Sequence, residues 1–458
     1  MKIVFLNPNS RATTLAKFPI GMAYLSSVIK ANGYPDVKGY QSTEPDWRDG
    51  IKDAKLVCIH VTTITFIEAI AIAKDIKASN PKATIIAGGP HATLKPEDFF
   101  KRSTDFDYVI RGEAEQTILD VILHTLIAKP KPQEINGITY KDGDNIISTP
   151  DRERPQNLDA IPFPDRTLFK NSIQRYPFYA STDILAGRSC IYNCSNCQPA
   201  LRKIMGIYRI RSVKNVVDEI KELIDMGVTK LNFNDNSLTH NAKWTEEFCN
   251  TLIKENIKIR WGCCVCEREV TPDLLKLMHK AGCINIQFGV ESGSQRVLDE
   301  ILNKKVTLDH VRKVVDWCNE IGMGVHNWYM MAIPGETREE AMETITFATS
   351  LNINSASFHI SSPNPLTGYE RVANENGWNR SKGYGDLDNL DRKPMMVTPE
   401  YGEDYVKYLD KELELQFTKK GWEFIHDKHS YLFVNSKKEL KENPVGFLGA
   451  KIIKLIGR

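Results

Sequence analysis

The stretch GRSCIYNCSNCQ, residues 187–198, carries Cys190, Cys194 and Cys197, separated by three and then two residues. It follows a β-rich run ending near Ile184 and precedes a helical stretch, so the thiols belong to a turn just after a strand. Three thiolates can reach three irons of a 4Fe-4S cluster that ordinarily takes four cysteines, which leaves one iron open to a substrate or cofactor ligand. The alternative is a zinc site, which wants a fourth Cys or His close by. His240, the nearest downstream histidine, belongs to a different loop of the pattern.

Working outward, Val213, Val216, Val217, Ile220, Leu223 and Ile224 recur at helical spacing, and Gly227 follows the last turn. Strand candidates near Ile184 and at 230–233, 258–261, 284–288, 324–331 and 355–360 alternate with helices. The pattern predicts a partial TIM-like (β/α) barrel over 181–380, then a small, mainly helical region over 381–458. Upstream, runs at 3–6, 56–61 and 83–87 alternate with amphipathic helices, one presenting Met22, Leu25 and Ile29 on a single face. That is an α/β, doubly wound, Rossmann-like pattern over 1–140, and a Gly- and Pro-punctuated stretch over 141–180 reads as a linker. The first sheet ends in polar or Gly-rich loops that contain Asn7, Thr62, Thr63, Thr65, Gly88, Gly89, Pro90, His91 and Glu113. In open α/β sheets ligands sit outside these carboxyl ends.

The 458 residues hold 60 Lys+Arg against 58 Asp+Glu, so no global basic field points to nucleic acid. The start, MKIVFLNPNS, lacks a signal-peptide core, and no run approaches eighteen apolar residues. The expectation is a cytoplasmic chain whose membrane contact, if any, is peripheral. Ten cysteines spread over so long a chain read as metal-binding or catalytic before disulfide.

CIYNCSNC at the mouth of a βα barrel resembles the cluster motif of the radical S-adenosylmethionine superfamily, whose spacing it matches in full. In that family the cofactor's methionine moiety chelates the open iron. An electron from the cluster then breaks the sulfur-carbon bond to give a 5′-deoxyadenosyl radical, and the protein supplies binding and orientation. The resemblance implies S-adenosylmethionine contacts at Asn196, where the family usually has an aromatic or apolar residue. It implies others at Asp235 and Asn236 in NFNDNSLT, Glu291 and Ser292 in FGVESGS, and Ile333 and Pro334 in MMAIPGETREE, with Ile333 to Glu336 along the adenine. SSPNPLTG resembles the Pro-rich turn that ends the family's sixth strand. The alternative for Glu291 is a capping carboxylate on a helix starting near Ser294.

KFPIGMAYLSSVIKANGY, VTTITF, IIAGGPHAT and YVIRGEAEQT resemble the loops of the cobalamin-binding domain fused to one large class of radical enzymes, many of them methyltransferases. Together the two resemblances cover about residues 2–371. They imply cobalamin held by Asn7, Thr62, Thr63, Thr65, Gly88, Gly89, Pro90, His91 and Glu113. The alternatives are an ordinary nucleotide-type loop or a vestigial domain. The Asp-x-His-x-x-Gly signature of cobalt ligation is absent. His91 is the nearest candidate for the lower face, and a solvated loop histidine is the competing reading. The working mechanism is methyl transfer from methylcobalamin, lying between two facing domains, to an unactivated carbon of a small-molecule or lipid substrate, with electrons from a flavodoxin- or ferredoxin-type donor. Alternatives are a cyclase or ring-rearranging enzyme with the same cofactors, and an iron-sulfur or zinc protein that only binds or transfers electrons. A methylthiotransferase would need more N-terminal cysteines than Cys58.

Strand alternation sets Cys264 and Cys266 on one face and Cys263 on the other, which favours buried thiols over a second metal site. On the fifth strand, His326, Trp328 and Tyr329 are candidates to touch substrate, with core packing as the alternative. The run FLGAKIIKLIGR places Leu448, Ile452 and Leu455 on one helical face and Lys451, Lys454 and Arg458 on another. It suits an anionic membrane surface or the protein's own body.

Overall fold

The computed structural model describes residues 1–8, 18–175, 179–380, 395–426, 431–435 and 438, arranged in two units. The first comprises Met1–Ile173 with Ala200–Arg209. Its sheet runs Val37–Gln41, Ile3–Asn7, Leu56–His60, Thr84–Gly88 and Tyr108–Ile110, all parallel, and ends in the antiparallel strands Ile138–Asp142 and Asn145–Ser148. IVFL and LVCI read as continuous apolar runs because helices cover both faces, and Ile3 to Leu6 and Leu56 to Ile59 are all buried. Helix Phe66–Ser79 buries Phe66, Ala69, Ile72, Ala73 and Ile76 as one stripe against Val57, Ile59, Ile85 and Ala87. Each large side chain in that stripe contributes about 1.5–3 kcal/mol. Chain order reverses between Ile3–Asn7 and Leu56–His60, which is where doubly wound sheets open a crevice at their carboxyl ends.

The second unit comprises Gln174–Pro199, 210–381 and the described residues beyond 389. Six parallel strands follow one another in space as in sequence: Ala180–Ile184, Lys230–Phe233, Arg260–Cys264, Cys283–Glu291, Gly324–Met331 and Ser355–Ile360. They form a curled half-barrel. Helix Val213–Asp225 buries Val213, Val216, Val217, Ile220 and Leu223 of the predicted stripe, and Ile224 is partly exposed. Its Ser212 Oγ accepts the Asn215 N–H at 3.1 Å, and Gly227, at φ +83°, follows the last turn.

Antiparallel strands flank the parallel set, Gln174–Arg175 on one edge and Tyr431–Val434 then Glu423–His426 on the other. The C-terminal region therefore adds strands to its helix Glu403–Lys419, beyond the mainly helical expectation. The reason is packing: Phe433 stacks on Phe417 at 4.2 Å and meets Phe358 of the sixth strand at 6.0 Å. Residues 439–458, and with them the basic C-terminal run, lie outside the described residues.

Alternation divides the half-barrel chemically. Toward the helices lie Trp261, Cys263, Ile286, Phe288, Val325, Tyr329, Met331 and Phe358, all buried. The opposite, concave face carries Asn232, Cys264, Asn285, Gln287, His326, Trp328, Ser355 and His359, which keep partial exposure. Tyr329 stacks on Phe358 at 4.8 Å and belongs to the core, whereas His326 and Trp328 face the concavity.

Candidate functional site

The cysteine turn is pinned from several elements of its own unit. Ser195 N–H donates to Leu302 O at 3.0 Å, and Ser195 O accepts the Gly368 N–H at 3.0 Å. Cys194 O accepts the N–H groups of Cys197 and Gln198 at 3.1 and 2.9 Å. Cys190 and Cys194 are half-buried, and Cys197 keeps accessible surface. Among the described residues no three Cys, His, Asp or Glu side chains converge on one metal-ion position. The three thiols share one turn, the ligand set of a 4Fe-4S cluster with one open iron.

Sequence separation hid one neighbour of Cys190. His240, expected in another loop, is coupled electrostatically to Cys190, and its Nδ1 lies 2.7 Å from Glu269 Oε1. Glu269 also accepts from Ser237 Oγ at 2.9 Å, Thr239 Oγ1 at 2.8 Å and the Tyr192 hydroxyl. Burial alone would raise Cys190, but His240 and the Tyr192 N–H, 3.5 Å from Sγ, bring it below the usual thiol range. Burial likewise opposes charge on His240, yet Cys190 and Glu269 raise it to about 9. Burial lifts Cys194.

Lys304 was not singled out by sequence reasoning. Its Nζ is 3.4 Å from Glu267 Oε1 and 4.0 Å from Glu291 Oε1. Burial disfavours its charge, but Glu267 and Glu291, with Cys266 and Cys194, hold it protonated above the usual range. Tyr369, just past the Pro-rich turn, is 4% exposed, and its hydroxyl has no hydrogen-bond partner among the described residues. Burial, Glu291, Glu336 and the cluster cysteines together raise it. A buried orphan hydroxyl beside a lysine and two carboxylates suits the amino, carboxylate and ribose groups of a polar ligand.

The predicted contact residues divide into two groups. Asn196 Nδ2 lies 3.8 Å from Met330 Sδ on the concave face, and Asn236 is exposed. Glu291, at φ +73°, folds its carboxylate over Gly289, where a Cβ would meet Oε1 at 2.1 Å, and it faces Lys304. In the turn that follows, Ser292 Oγ accepts the Ser294 N–H at 3.1 Å and meets Thr344 Oγ1 at 3.1 Å. Asp235 is buried and accepts the backbone N–H groups of Ala186 and Gly187 at 3.1 and 2.5 Å, holding the start of the cysteine turn. Burial raises it to about 7. Ile333 and Pro334 are buried, and the Ile333 N–H donates to Glu336 Oε2 at 3.1 Å. Cys263 is buried as expected, whereas Cys264 and Cys266 keep partial exposure on the concave side, because only one face of the strand is covered by helices.

In the first unit, Asn7 Nδ2 donates to Gln41 Oε1 at 2.7 Å, and the Thr62 and Thr65 hydroxyls meet at 3.1 Å. Gly88 faces open space, since a Cβ there would meet nothing within 4 Å. Gly89, at φ +105°, turns the chain so close to His60 that a Cβ would lie 2.8 Å from its ring. Pro90 opens a short helix, and Glu113 is committed to a buried pair with Arg209 at 2.5 Å. The solvated reading of His91 is corrected. It is fully buried, 4.3 Å from Phe66 and 5.7 Å from Phe99 between ring centroids, because Pro90 starts a helix that tucks it under the loop. Its Nδ1 is 3.4 Å from Thr63 Oγ1, and burial lowers it to about 4. The open Gly88 at the sheet's carboxyl end leaves room for a flat ligand.

Residues 184–348 match the Radical SAM superfamily, and residues 15–122 match the B12 binding domain. An uncharacterized methyltransferase of Pyrococcus horikoshii is 30% identical over 363 residues, covering 76% of this chain and 77% of the relative. The anaerobic magnesium-protoporphyrin IX monomethyl ester cyclase of Rubrivivax gelatinosus is 28% identical over 393 residues, covering 80% of this chain and 69% of the relative. In fold, the chain is similar to the radical S-adenosylmethionine methyltransferase TsrM of Kitasatospora setae, solved with cobalamin and a [4Fe-4S] cluster. The TM-score is 0.67 at 17% identity, over 83% of this chain and 76% of that one. With a half-barrel presenting Cys190, Cys194 and Cys197 and a doubly wound domain open at Gly88, this chain belongs to the radical SAM superfamily of enzymes, among those that carry an N-terminal B12-binding domain.

Proposed function

We propose that the chain is a cobalamin-dependent radical methyltransferase acting on a polar small molecule. The observation that carries the reading is the three-thiol turn beside Lys304, Glu291 and the unpartnered Tyr369 hydroxyl. Cys190, Cys194 and Cys197 would hold a 4Fe-4S cluster, and the loops at Asn7, Thr62, Thr63, Gly88 and Gly89 would hold cobalamin. When bound, the cluster with S-adenosylmethionine supplies one-electron cleavage chemistry, and cobalamin supplies a transferable methyl group.

The protein's part is binding and orientation. Lys304 offers a cation to a carboxylate of S-adenosylmethionine, and Glu291 and Tyr369 offer an anion and a hydroxyl to its ammonium and ribose groups. Asn196 and Asn236 would add polar contacts to the cofactor, Asp235 and Ser292 hold backbone in place, and Ile333 and Pro334 would supply an apolar wall. The polar concave face supports a polar acceptor over a lipid. A flavodoxin- or ferredoxin-type protein would supply electrons.

The likeness to the Rubrivivax cyclase favours a second reading, in which the same cofactors serve ring formation without methyl transfer. The reading is tested by anaerobic reconstitution with iron, sulfide and hydroxocobalamin. Bound cobalamin, and a paramagnetic resonance signal of the reduced cluster that shifts on adding S-adenosylmethionine, support it. A reduced cluster indifferent to S-adenosylmethionine contradicts it.

A further inference from the structure

At the amino-terminal ends of the barrel strands, opposite the cysteine turn along the strand direction, lies a cavity of about 300 Å³ to which the proposal above assigns no ligand group. Its ionisable lining residues are Lys230, Arg260, His279 and His326, and all are basic. Lys230 and Arg260 are register partners on adjacent parallel strands, so two positive charges stand side by side at the cavity. Lys230 also lies 5.4 Å from the centre of the Tyr179 ring, a cation–π contact. Arg260 and His279 are exposed at the rim, and His279 Nδ1 is held 3.1 Å from the Cys283 carbonyl.

His326 supplies an independent sign of a ligand. Its Nδ1 is 2.7 Å from Ser355 Oγ, while its buried Nε2 has no hydrogen-bond partner among the described residues. Burial lowers it to about 3, so the ring is neutral and offers a hydrogen bond instead of charge. A ring whose Nδ1 accepts from the Ser355 hydroxyl presents Nε2–H, the donor that an oxyanion takes. Asn285, also in the lining, is flanked in register by Gly262 and Gly324. A Cβ at Gly262 would strike Asn285 Oδ1 at 2.4 Å, so the missing side chain makes room for the amide.

We infer that this cavity binds an oxyanion, a phosphate or carboxylate group, between Lys230 and Arg260 with His326 as the inner donor. Phosphate fits within the volume, and its two sources are a free anion or the anionic group of a longer substrate. The inference does not depend on the proposed methyl transfer, because binding is read without turnover. The test is calorimetric titration of the reconstituted full chain with pyrophosphate at low salt. Saturable binding at one site per chain is expected, weakened about tenfold or more in Arg260→Gln, an exposed position, and in His326→Phe. Melting curves in phosphate-free buffer check that both variants fold. No saturable binding at millimolar pyrophosphate, or equal affinity in wild type and a folded Arg260→Gln, overturns the site. Pyrophosphate that competes with the methyl acceptor supports the substrate's own anionic group as occupant, and binding without effect on turnover supports a free anion.

Discussion

His240 and Glu269, 29 residues apart in sequence, meet through a 2.7 Å contact between Nδ1 and Oε1. Because Glu269 also gathers Tyr192, Ser237 and Thr239, the imidazole is fixed from behind while its other edge addresses Cys190. A ligand's orientation and electron richness are set by such supporting contacts. Replacing His240 with Phe keeps an aromatic ring and removes the positive charge coupled to the Cys190 sulfur. The cluster's midpoint potential is expected to fall while iron content holds. An unchanged potential would show that His240 is only packing.

Tyr369 buries a hydroxyl without a partner among the described residues. In the ligand-free protein, Tyr369→Phe is therefore expected to be neutral or about 1 kcal/mol more stable, while S-adenosylmethionine binds about tenfold more weakly. Thermal melting and calorimetry read the two effects separately. A destabilised variant with unchanged affinity would place the hydroxyl in the fold alone.

Lys304 stands between Glu267 and Glu291. Lys304→Met leaves two carboxylates facing each other without their cation, at a cost of about 3–5 kcal/mol. Lys304→Arg is expected to recover most of that loss in denaturant unfolding.

Gly88 tests the first unit. Since a Cβ there meets nothing within 4 Å, Gly88→Val is expected to fold with a near-wild-type melting temperature. Bound cobalamin should nevertheless drop about tenfold or more, a loss of about 1.4 kcal/mol or more. Full cobalamin content in the variant would move the ligand away from this loop.

Asp165 governs an acid transition. Burial opposes its charge, but hydrogen bonds from Lys30 at 2.6 Å, Ser26 at 2.7 Å and Thr167 lower it to about 2. Its folded value lies below the ordinary 3.8, so its contribution is complete above about pH 4 and is lost as pH falls toward about 2. After screening by nearby solvent the effect is on the order of 1 kcal/mol. Asp165→Asn should flatten stability over that window.

The parts of the fold legible in the sequence were those written as local periodicity: the stripe from Val213 to Leu223, the alternation that separates Cys263 from Cys264, and the cysteine turn itself. Less legible were contacts made by the curl of the sheet. His240 and Glu269 sit on loops after different strands, and Lys304 reaches its carboxylates only once the fourth strand and the loop after it are in place. His91 looked like a loop residue because nothing local announces that Phe66 and Phe99 close over it. The strands Glu423–His426 and Tyr431–Val434 were missed because EFIH and YLFV are too short to outweigh the charged helical text around them.

The central claim is tested most directly by product analysis. The protein is reconstituted anaerobically with iron, sulfide and hydroxocobalamin, then reduced in the presence of S-adenosylmethionine and candidate polar acceptors. The expected result is 5′-deoxyadenosine together with S-adenosylhomocysteine, and neither the deoxyadenosine nor the methylated product from Cys194→Ala. An intact cluster with bound cobalamin that yields no 5′-deoxyadenosine across reductants and acceptors would contradict it.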